Sequence, residues 1–199
     1  CMMAGVGLTG VFLWYLVRFW VYGKAVVLTS APLTIPAGFL IASMAVATLI
    51  GAALASWAAG PISERIEEKN IPVARVVAGA CLLYAIGLGL AWGLGVWSTG
   101  TARENGMLLF ALISGFAFGI YDSLGLELVM DSLPDPRRAG HDLGIYALAN
   151  SAGLALAAII GALLVNAFEH SFGYYLLFPS AIVMVLLAGI VTLTTKSAE

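Results

Sequence analysis

The chain has 199 residues, of which 61% are hydrophobic and 10% are charged, and its formal net charge is −2. A soluble domain has about 45–50% apolar and about 25% charged residues, so this composition excludes an ordinary water-soluble fold. With a mean hydropathy of +1.00, the chain is expected to be an integral membrane protein, and nothing in its charge indicates a nucleic-acid partner.

Six uninterrupted apolar segments follow one another along the chain. Each is long enough to cross ~30 Å of hydrocarbon as a helix that rises about 1.5 Å per residue. Because these segments are continuous, helices are predicted and a β-barrel is not. The predicted fold is an all-α membrane protein, a single six-helix bundle over residues 1–199. We place the spans at about residues 5–29, 33–60, 73–97, 106–130, 143–168 and 173–195.

Lysine and arginine residues set the expected orientation. With six spans, both termini lie on the same side, and that side carries six basic residues against two on the other. The six are Arg65, Lys69, Arg75, Arg137, Arg138 and Lys196, and the two are Lys24 and Arg103. The excess predicts a multi-pass protein of the cell membrane with both termini in the cytoplasm.

Charged residues inside the spans are concentrated in the first and the fourth. The first contains Arg18 and Lys24, and the fourth contains Asp122 and Glu127. A charge at the bilayer centre costs at least ~2.5 kcal/mol, so it is seldom kept without a role. Lys24 can extend to the interface and Glu127 lies about one turn from its end, whereas Arg18 and Asp122 are expected near the midplane. Such a pair is either a fixed structural bridge or part of a watery cavity.

The neighbours of this pair favour a cavity. Trp14 and Tyr15 lie one turn before Arg18 and give that helix face aromatic surface with polar tips. Tyr121 adds a hydroxyl beside Asp122. Three glycines near this acid are expected to leave open space: Gly115, Gly119 and Gly125.

Three segments resemble the major facilitator superfamily of transporters. LWYLVRFWVYG, residues 13–23, is similar to the opening helix of a facilitator half. GPISERIEEKN, residues 60–70, is similar to the loop between the second and third helices of a half, although Glu64 replaces the usual aspartate and the closing basic run is absent. GIYDSLGLELVMDSLPDPRRAGHDLGIYALANSAG, residues 119–153, is similar to the passage from the tenth into the eleventh helix in sugar and cation-coupled branches.

The resemblance implies that the chain is the C-terminal half of such a carrier, helices seven to twelve, built as two inverted three-helix repeats. It implies a secondary transporter without enzymatic activity or cofactor. Substrate, a sugar or an organic anion, would bind between this half and an N-terminal six-helix half, with a proton or cation as the coupling ion. The expected substrate- or proton-binding residues are Asp122, Arg18, Glu127, Tyr121, Trp14, Tyr15 and Asn150. The expected gating residues of the cytoplasmic loops are Gly60, Glu64, Arg65, Asp131, Arg137 and Arg138.

The second and fifth spans carry a small residue at every fourth position. These ridges are Ala47, Gly51, Ala55 and Ala59 in the second span, and Gly153, Ala157 and Gly161 in the fifth. Small residues let helices approach closely in lipid. Since these two helices face the other half in facilitators, the ridges are predicted to pack against a partner half.

Other classes of membrane protein remain open at this stage. A half-size carrier that dimerises would also have six spans, although the chain begins with Cys1 and enters apolar residues at once, as a fragment of a longer protein would. A channel-like subunit would need a ring of repeated polar residues, which the sequence lacks. A membrane enzyme would need a cluster of acids or histidines, and the only histidines, His141 and His170, are predicted on opposite sides of the membrane.

Overall fold

A computed structural model describes residues 2–17, 35–69, 71–97, 101–131 and 139–194. Within these ranges the chain is helical except at short turns, and no strand occurs. The helices are α1 (Met2–Val11), α2 (Leu13–Leu16), α3 (Ile35–Lys69), α4 (Val73–Trp97), α5 (Thr101–Asp131), α6 (Ala139–Ala167) and α7 (Glu169–Thr194).

Five of the described helices are long and apolar enough to cross a membrane. The apolar stretches are Ala37–Ile66, Val73–Trp97, Thr101–Leu126, Leu143–Ala167 and Tyr174–Thr194. They confirm the prediction of an all-helical, multi-pass membrane protein. The first predicted span is described only from Met2 to Val17, and the rest of it lies outside the described residues.

The first predicted span is interrupted at Phe12. Its backbone angles, φ −97° and ψ 5°, lie in a sparsely occupied region between helix and strand. The helix resumes as α2, where the Leu16 amide donates a hydrogen bond to the Phe12 carbonyl oxygen at 2.8 Å. The Phe12 ring fills the space above Gly161 of α6, where an added Cβ would lie 2.9 Å from two ring carbons. Packing of this ring against α6 therefore accompanies the break in the helix.

α3 continues through Pro61, where the sequence predicted a break. Proline removes one backbone hydrogen bond inside a helix, so the extension needs support from elsewhere. That support is a small core cluster in which Ile66 of α3 packs against residues of α4 and α5, including Val77 and Leu124. Tertiary packing thus outweighs the local penalty of Pro61, and GPISERIEEK is helical to Lys69.

The end of α3 is marked by a backbone hydrogen bond. The Ile71 amide donates to the Ile66 carbonyl oxygen at 3.0 Å, which is the longer bond of a Schellman helix end. Pro72 follows, and it cannot donate to a continuing helix. The predicted loop between the second and third spans is therefore reduced to a tight connection before α4.

The helices pack in a defined order. α3 lies against α5, α5 against α4, α4 against α7, α7 against α1, and α1 against α6, which also touches α7. One large core cluster joins helices from both ends of this order, with Leu8, Leu88, Phe110 and Phe178 among its buried side chains.

The small-residue ridge of α3 packs against α5. Ala55 is fully buried, and a Cβ on Gly119 of α5 would lie 2.7 Å from the Ala55 Cβ. A Cβ on Gly51 would meet the backbone of Phe116, and one on Gly115 would meet the backbone of Thr48. The prediction that this ridge faces a partner half is wrong, because α5 covers it.

The ridge of α6 is covered in the same way by α1. A Cβ on Gly153 would lie 2.9 Å from the Met3 Cβ, and one on Gly7 of α1 would lie 2.6 Å from the Ala157 Cβ. Both ridges therefore close helix pairs within this chain. The sequence indicated correctly that small residues bring helices together, but it predicted the wrong partner.

Candidate functional site

A cavity of about 210 Å³ lies between the first span and helices α3, α4 and α5. Tyr84 and Ser114, two of its lining residues, lie near the middle of the apolar stretches of α4 and α5. The cavity is therefore at mid-span depth. Its lining residues are Val6, Thr9, Gly10, Leu13, Ile41, Met44, Ala45, Thr48, Tyr84, Phe110, Ala111 and Ser114.

Hydroxyl groups supply the polar atoms of the cavity side chains. Thr9 and Ser114, only 3% and 7% exposed, are the buried polar residues of the described chain. The Thr9 hydroxyl donates to the Val6 carbonyl oxygen at 3.1 Å, and the Ser114 hydroxyl donates to the Ala111 carbonyl oxygen at 3.0 Å. Each proton is thus used within its own helix, which makes burial of the hydroxyl tolerable.

Tyr84 links α4 to the first span across the cavity. Its hydroxyl is hydrogen-bonded to the Thr9 side chain. Its ring lies edge-on to the Phe110 ring, with centroids 6.0 Å apart and an interplanar angle of 87°. This edge-to-face geometry is favourable for aromatic pairs and fixes one wall of the cavity.

The mouth of the cavity opens between α1 and α3. Gly10, Ala45 and Thr48 are exposed there, whereas Thr9, Tyr84 and Ala111 are buried. A Cβ added to Gly10 would meet no atom within 4 Å. The Thr48 hydroxyl donates to the Met44 carbonyl oxygen at 2.9 Å, so its proton is also used within its helix. A solute would therefore enter past Gly10 and Thr48 to reach the buried hydroxyls.

Asp122 is exposed on α5 and lies outside the cavity lining. It is eight residues from Ser114, which is about 12 Å along the helix axis, and α5 continues beyond it to Asp131. Arg18, its predicted counter-charge, lies outside the described residues.

The aromatic residues predicted to line a site pack elsewhere. Tyr15 stacks against Tyr174 of α7 with ring centroids 6.2 Å apart, and Tyr121 stacks against Phe118 at 6.4 Å. Trp14 is half-buried and is absent from the cavity lining, unlike its neighbour Leu13.

The glycines around Asp122 do not leave the space that was expected of them. Gly115 and Gly119 are in close contact with α3, and of the three predicted glycines Gly125 alone has no atom within 4 Å of an added Cβ. The open volume near mid-span lies instead on the neighbouring face of α5, which presents Phe110, Ala111 and Ser114.

The remaining predicted residues lie away from the cavity or outside the described part of the chain. Asn150 is half-buried on α6 and does not line the cavity. Gly60, Glu64 and Arg65 are exposed on the extension of α3. Arg137 and Arg138 lie outside the described residues, as do the side chains of Glu127 and Asp131.

Four hydroxyl residues of the cavity were not predicted from the sequence: Thr9, Thr48, Tyr84 and Ser114. The one sequence feature that could have predicted them is a single hydroxyl residue within each of several apolar runs. That signal is weak, because a helical Ser or Thr can satisfy itself on the carbonyl three or four residues earlier. Only the packing of the helices shows that these hydroxyls converge.

Comparison with protein-family models, with curated proteins and with solved structures finds no match to this chain. Among the residues that the structure describes, no three His, Cys, Asp or Glu side chains gather closely enough to hold a metal ion. Function is therefore inferred from the helices and the cavity.

Proposed function

We propose that this chain is the C-terminal six-helix half of a secondary transporter of the major facilitator type. In this proposal it moves a small polar solute across the cell membrane by alternating access and has no enzymatic activity. The observation that carries the proposal is the mid-span cavity, because carriers bind their solutes near the bilayer midplane between helices. A concave, mostly apolar site with a few convergent polar groups is the usual form of a small-molecule site.

The pairing of the helices supports two inverted repeats. The first three spans contain α1, α3 and α4, and the last three are α5, α6 and α7. If the two sets are equivalent, α1 corresponds to α5, α3 to α6 and α4 to α7. The α3–α5 contact then corresponds to the α6–α1 contact, the α4–α5 contact corresponds to the α7–α1 contact, and the α4–α7 contact corresponds to itself. Two related three-helix units would produce this pattern. In each of the first two matches the contact of α1 is the less extensive one, and among the described helices α3 and α4 make no contact comparable to that between α6 and α7.

The outer faces of α3 and α6 support a partner half. Within an 18-residue apolar segment of each helix, only 22% of the residues of α3 and 17% of those of α6 are buried, against 33–44% in the other three. Bulky side chains project from these faces, with Trp57 79% exposed and Leu148 70% exposed. We propose that the N-terminal six-helix half contacts these bulky faces, which replaces the predicted contact through the small ridges.

Asp122 is proposed as the group that couples a proton or cation to transport. It is exposed, and it lies about 12 Å along α5 from Ser114, a residue of the cavity lining. Arg18 is proposed as its counter-charge, and both termini are proposed to lie in the cytoplasm.

The test is solute uptake by the complete carrier in proteoliposomes. Under an imposed proton or sodium gradient we expect saturable uptake and counterflow, and we expect Asp122→Asn to lose coupled uptake while folded protein is retained. Glu68→Gln is the matched control, since Glu68 is an exposed acid on the extension of α3, away from the cavity. Full coupled uptake by Asp122→Asn would remove the coupling role, and a flux that never saturates would indicate a channel instead of a carrier.

A further inference from the structure

Three of the four cavity hydroxyls have already used their protons. Thr9, Thr48 and Ser114 each donate to a backbone carbonyl of their own helix. The Tyr84 hydroxyl is hydrogen-bonded to the Thr9 side chain. A hydroxyl has one proton and two acceptor lone pairs. The oxygens of Thr9, Thr48 and Ser114 therefore retain capacity to accept a hydrogen bond, while their protons are used within their own helices.

Among the residues that the structure describes, the lining offers no partner for a charged solute. These lining residues include no Lys, Arg, His, Asp or Glu, and Tyr84 is their one titratable side chain. An organic anion needs several hydrogen-bond donors or a cation, and the described lining supplies neither. A cation would lose its water without gaining a carboxylate, which is strongly unfavourable in an apolar site. Neutral molecules that donate hydrogen bonds match the available acceptors.

We propose that this cavity is a solute site selective for uncharged molecules that donate hydrogen bonds and carry an apolar face, and that it rejects organic anions. The apolar face is required by the rest of the wall, which includes Leu13, Ile41, Met44 and Phe110. The inference rests on the proposed transport function and decides between the two substrate classes that the sequence left open. It favours a neutral polyol or alcohol over a carboxylate.

The test compares three probes of the same size and different hydrogen-bonding capacity. An apolar cavity of about 150 Å³ accommodates benzene, so a cavity of about 210 Å³ has room for a substituted benzene. The probes are para-fluorobenzyl alcohol as donor, para-fluoroanisole as acceptor only, and para-fluorobenzoate as anion. Binding to the purified protein in lipid nanodiscs is followed by fluorine NMR titration.

A matched pair of variants separates binding in the cavity from partition into lipid. Gly10→Leu fills the mouth, where an added side chain has free space, and Gly79→Leu places the same side chain in free space on α4, outside the cavity lining. Specific binding is defined as the part of the fluorine NMR titration signal that Gly10→Leu removes and Gly79→Leu retains. We expect specific binding of the alcohol to be roughly fivefold tighter than that of the ether, with no specific binding of the benzoate.

A third variant tests the hydroxyl acceptors directly. Ser114→Ala should weaken alcohol binding by roughly fivefold and change ether binding by less than about twofold, because it removes an acceptor that only the donor probe uses. Equal binding of alcohol and ether would show an apolar groove for lipid and would overturn the proposal. Specific binding of the benzoate would overturn it as well.

These outcomes are separable from failure of the transport function. Binding in nanodiscs is an equilibrium measurement and needs no translocation. If proteoliposomes take up an organic anion, the carrier function holds and the selectivity is wrong. If the alcohol binds as expected and no solute is transported, the site is correct and the carrier function is wrong.

Discussion

Two helix pairs in this chain pack through glycine, α3 with α5 and α1 with α6, and they differ in what each glycine meets. In the α3–α5 pair Gly51 and Gly115 face backbone, and Gly119 faces the Ala55 Cβ. A Cβ on Gly51 would lie 2.7 Å from the Phe116 amide nitrogen, and one on Gly115 would lie 2.9 Å from the Thr48 carbonyl carbon. The two helices are therefore as close as their main chains allow.

In the α1–α6 pair the nearest atoms belong to side chains. A Cβ on Gly161 would meet the Phe12 ring, and one on Gly7 would meet the Ala157 Cβ and, at 3.1 Å, the Leu154 Cδ2. The Phe12 ring and the Leu154 Cδ2 can rotate, whereas the Ala157 Cβ, like backbone atoms, moves only with its helix. The comparison indicates that α3 and α5 form a fixed pair and that the α1–α6 contact can adjust at Phe12.

The largest effect is expected from Gly115→Ala. Its new methyl group would overlap the Thr48 backbone, so the α3–α5 pair would have to separate, at a cost of about 3 kcal/mol in the free energy of unfolding. Unfolding in mixed detergent measures this cost. Gly125→Ala on the same helix is the control, because nothing lies within 4 Å of its added Cβ. Equal stability of the two variants would contradict a backbone contact at Gly115.

A smaller effect is expected from Gly161→Ala. The methyl group would meet the Phe12 ring, which can rotate away, so the expected loss is about 1 kcal/mol. Truncating the ring with Phe12→Ala should remove the conflict. The loss in the free energy of unfolding of the double variant is therefore expected to be smaller than the sum of the two single losses. A double-mutant cycle measures this difference. Strict additivity would show that the ring and Gly161 do not interact.

The smallest effect is expected from Gly79→Ala, which should raise the free energy of unfolding instead of lowering it. Gly79 lies inside α4, and an added Cβ meets nothing within 4 Å. Alanine loses less backbone freedom than glycine when a helix forms, so the variant should gain roughly 0.5–1 kcal/mol. Thermal unfolding in detergent measures the gain. A clear loss of stability would show that a further surface packs against α4 at this position.

The membrane class and the positions of five helices could be predicted from hydropathy alone. The end of the second predicted span could not, because local rules stop a helix near Pro61. Burial of Ile66 against Val77 and Leu124 keeps α3 helical to Lys69. That contact depends on residues 11 and 58 positions farther along the chain, and no local pattern contains it.

The packing ridges and the candidate site could likewise be predicted only in part from the sequence. The spacing of Gly51 and Ala55 predicted a close helix contact, but which helix makes it depends on the fold. For the site, rare charges such as Asp122 were easy to notice and lie outside the cavity. Ser114 and Thr9 have no distinctive sequence context, and they become candidate site residues only because the fold brings them together in one cavity.

The length of α3 has a mechanical consequence. Its 35 residues span about 52 Å, well beyond the ~30 Å of the hydrocarbon core, so the helix projects from the bilayer. A rod that projects about 20 Å moves its tip sideways by about 3.5 Å for each 10° of tilt, which is well within the tilts that membrane helices adopt. Because Ile66 near that tip is packed against α4 and α5, the swing takes the start of α4 and the end of α5 with it. A change in the tilt of α3 inside the membrane would therefore be felt as a displacement of this cluster at its surface.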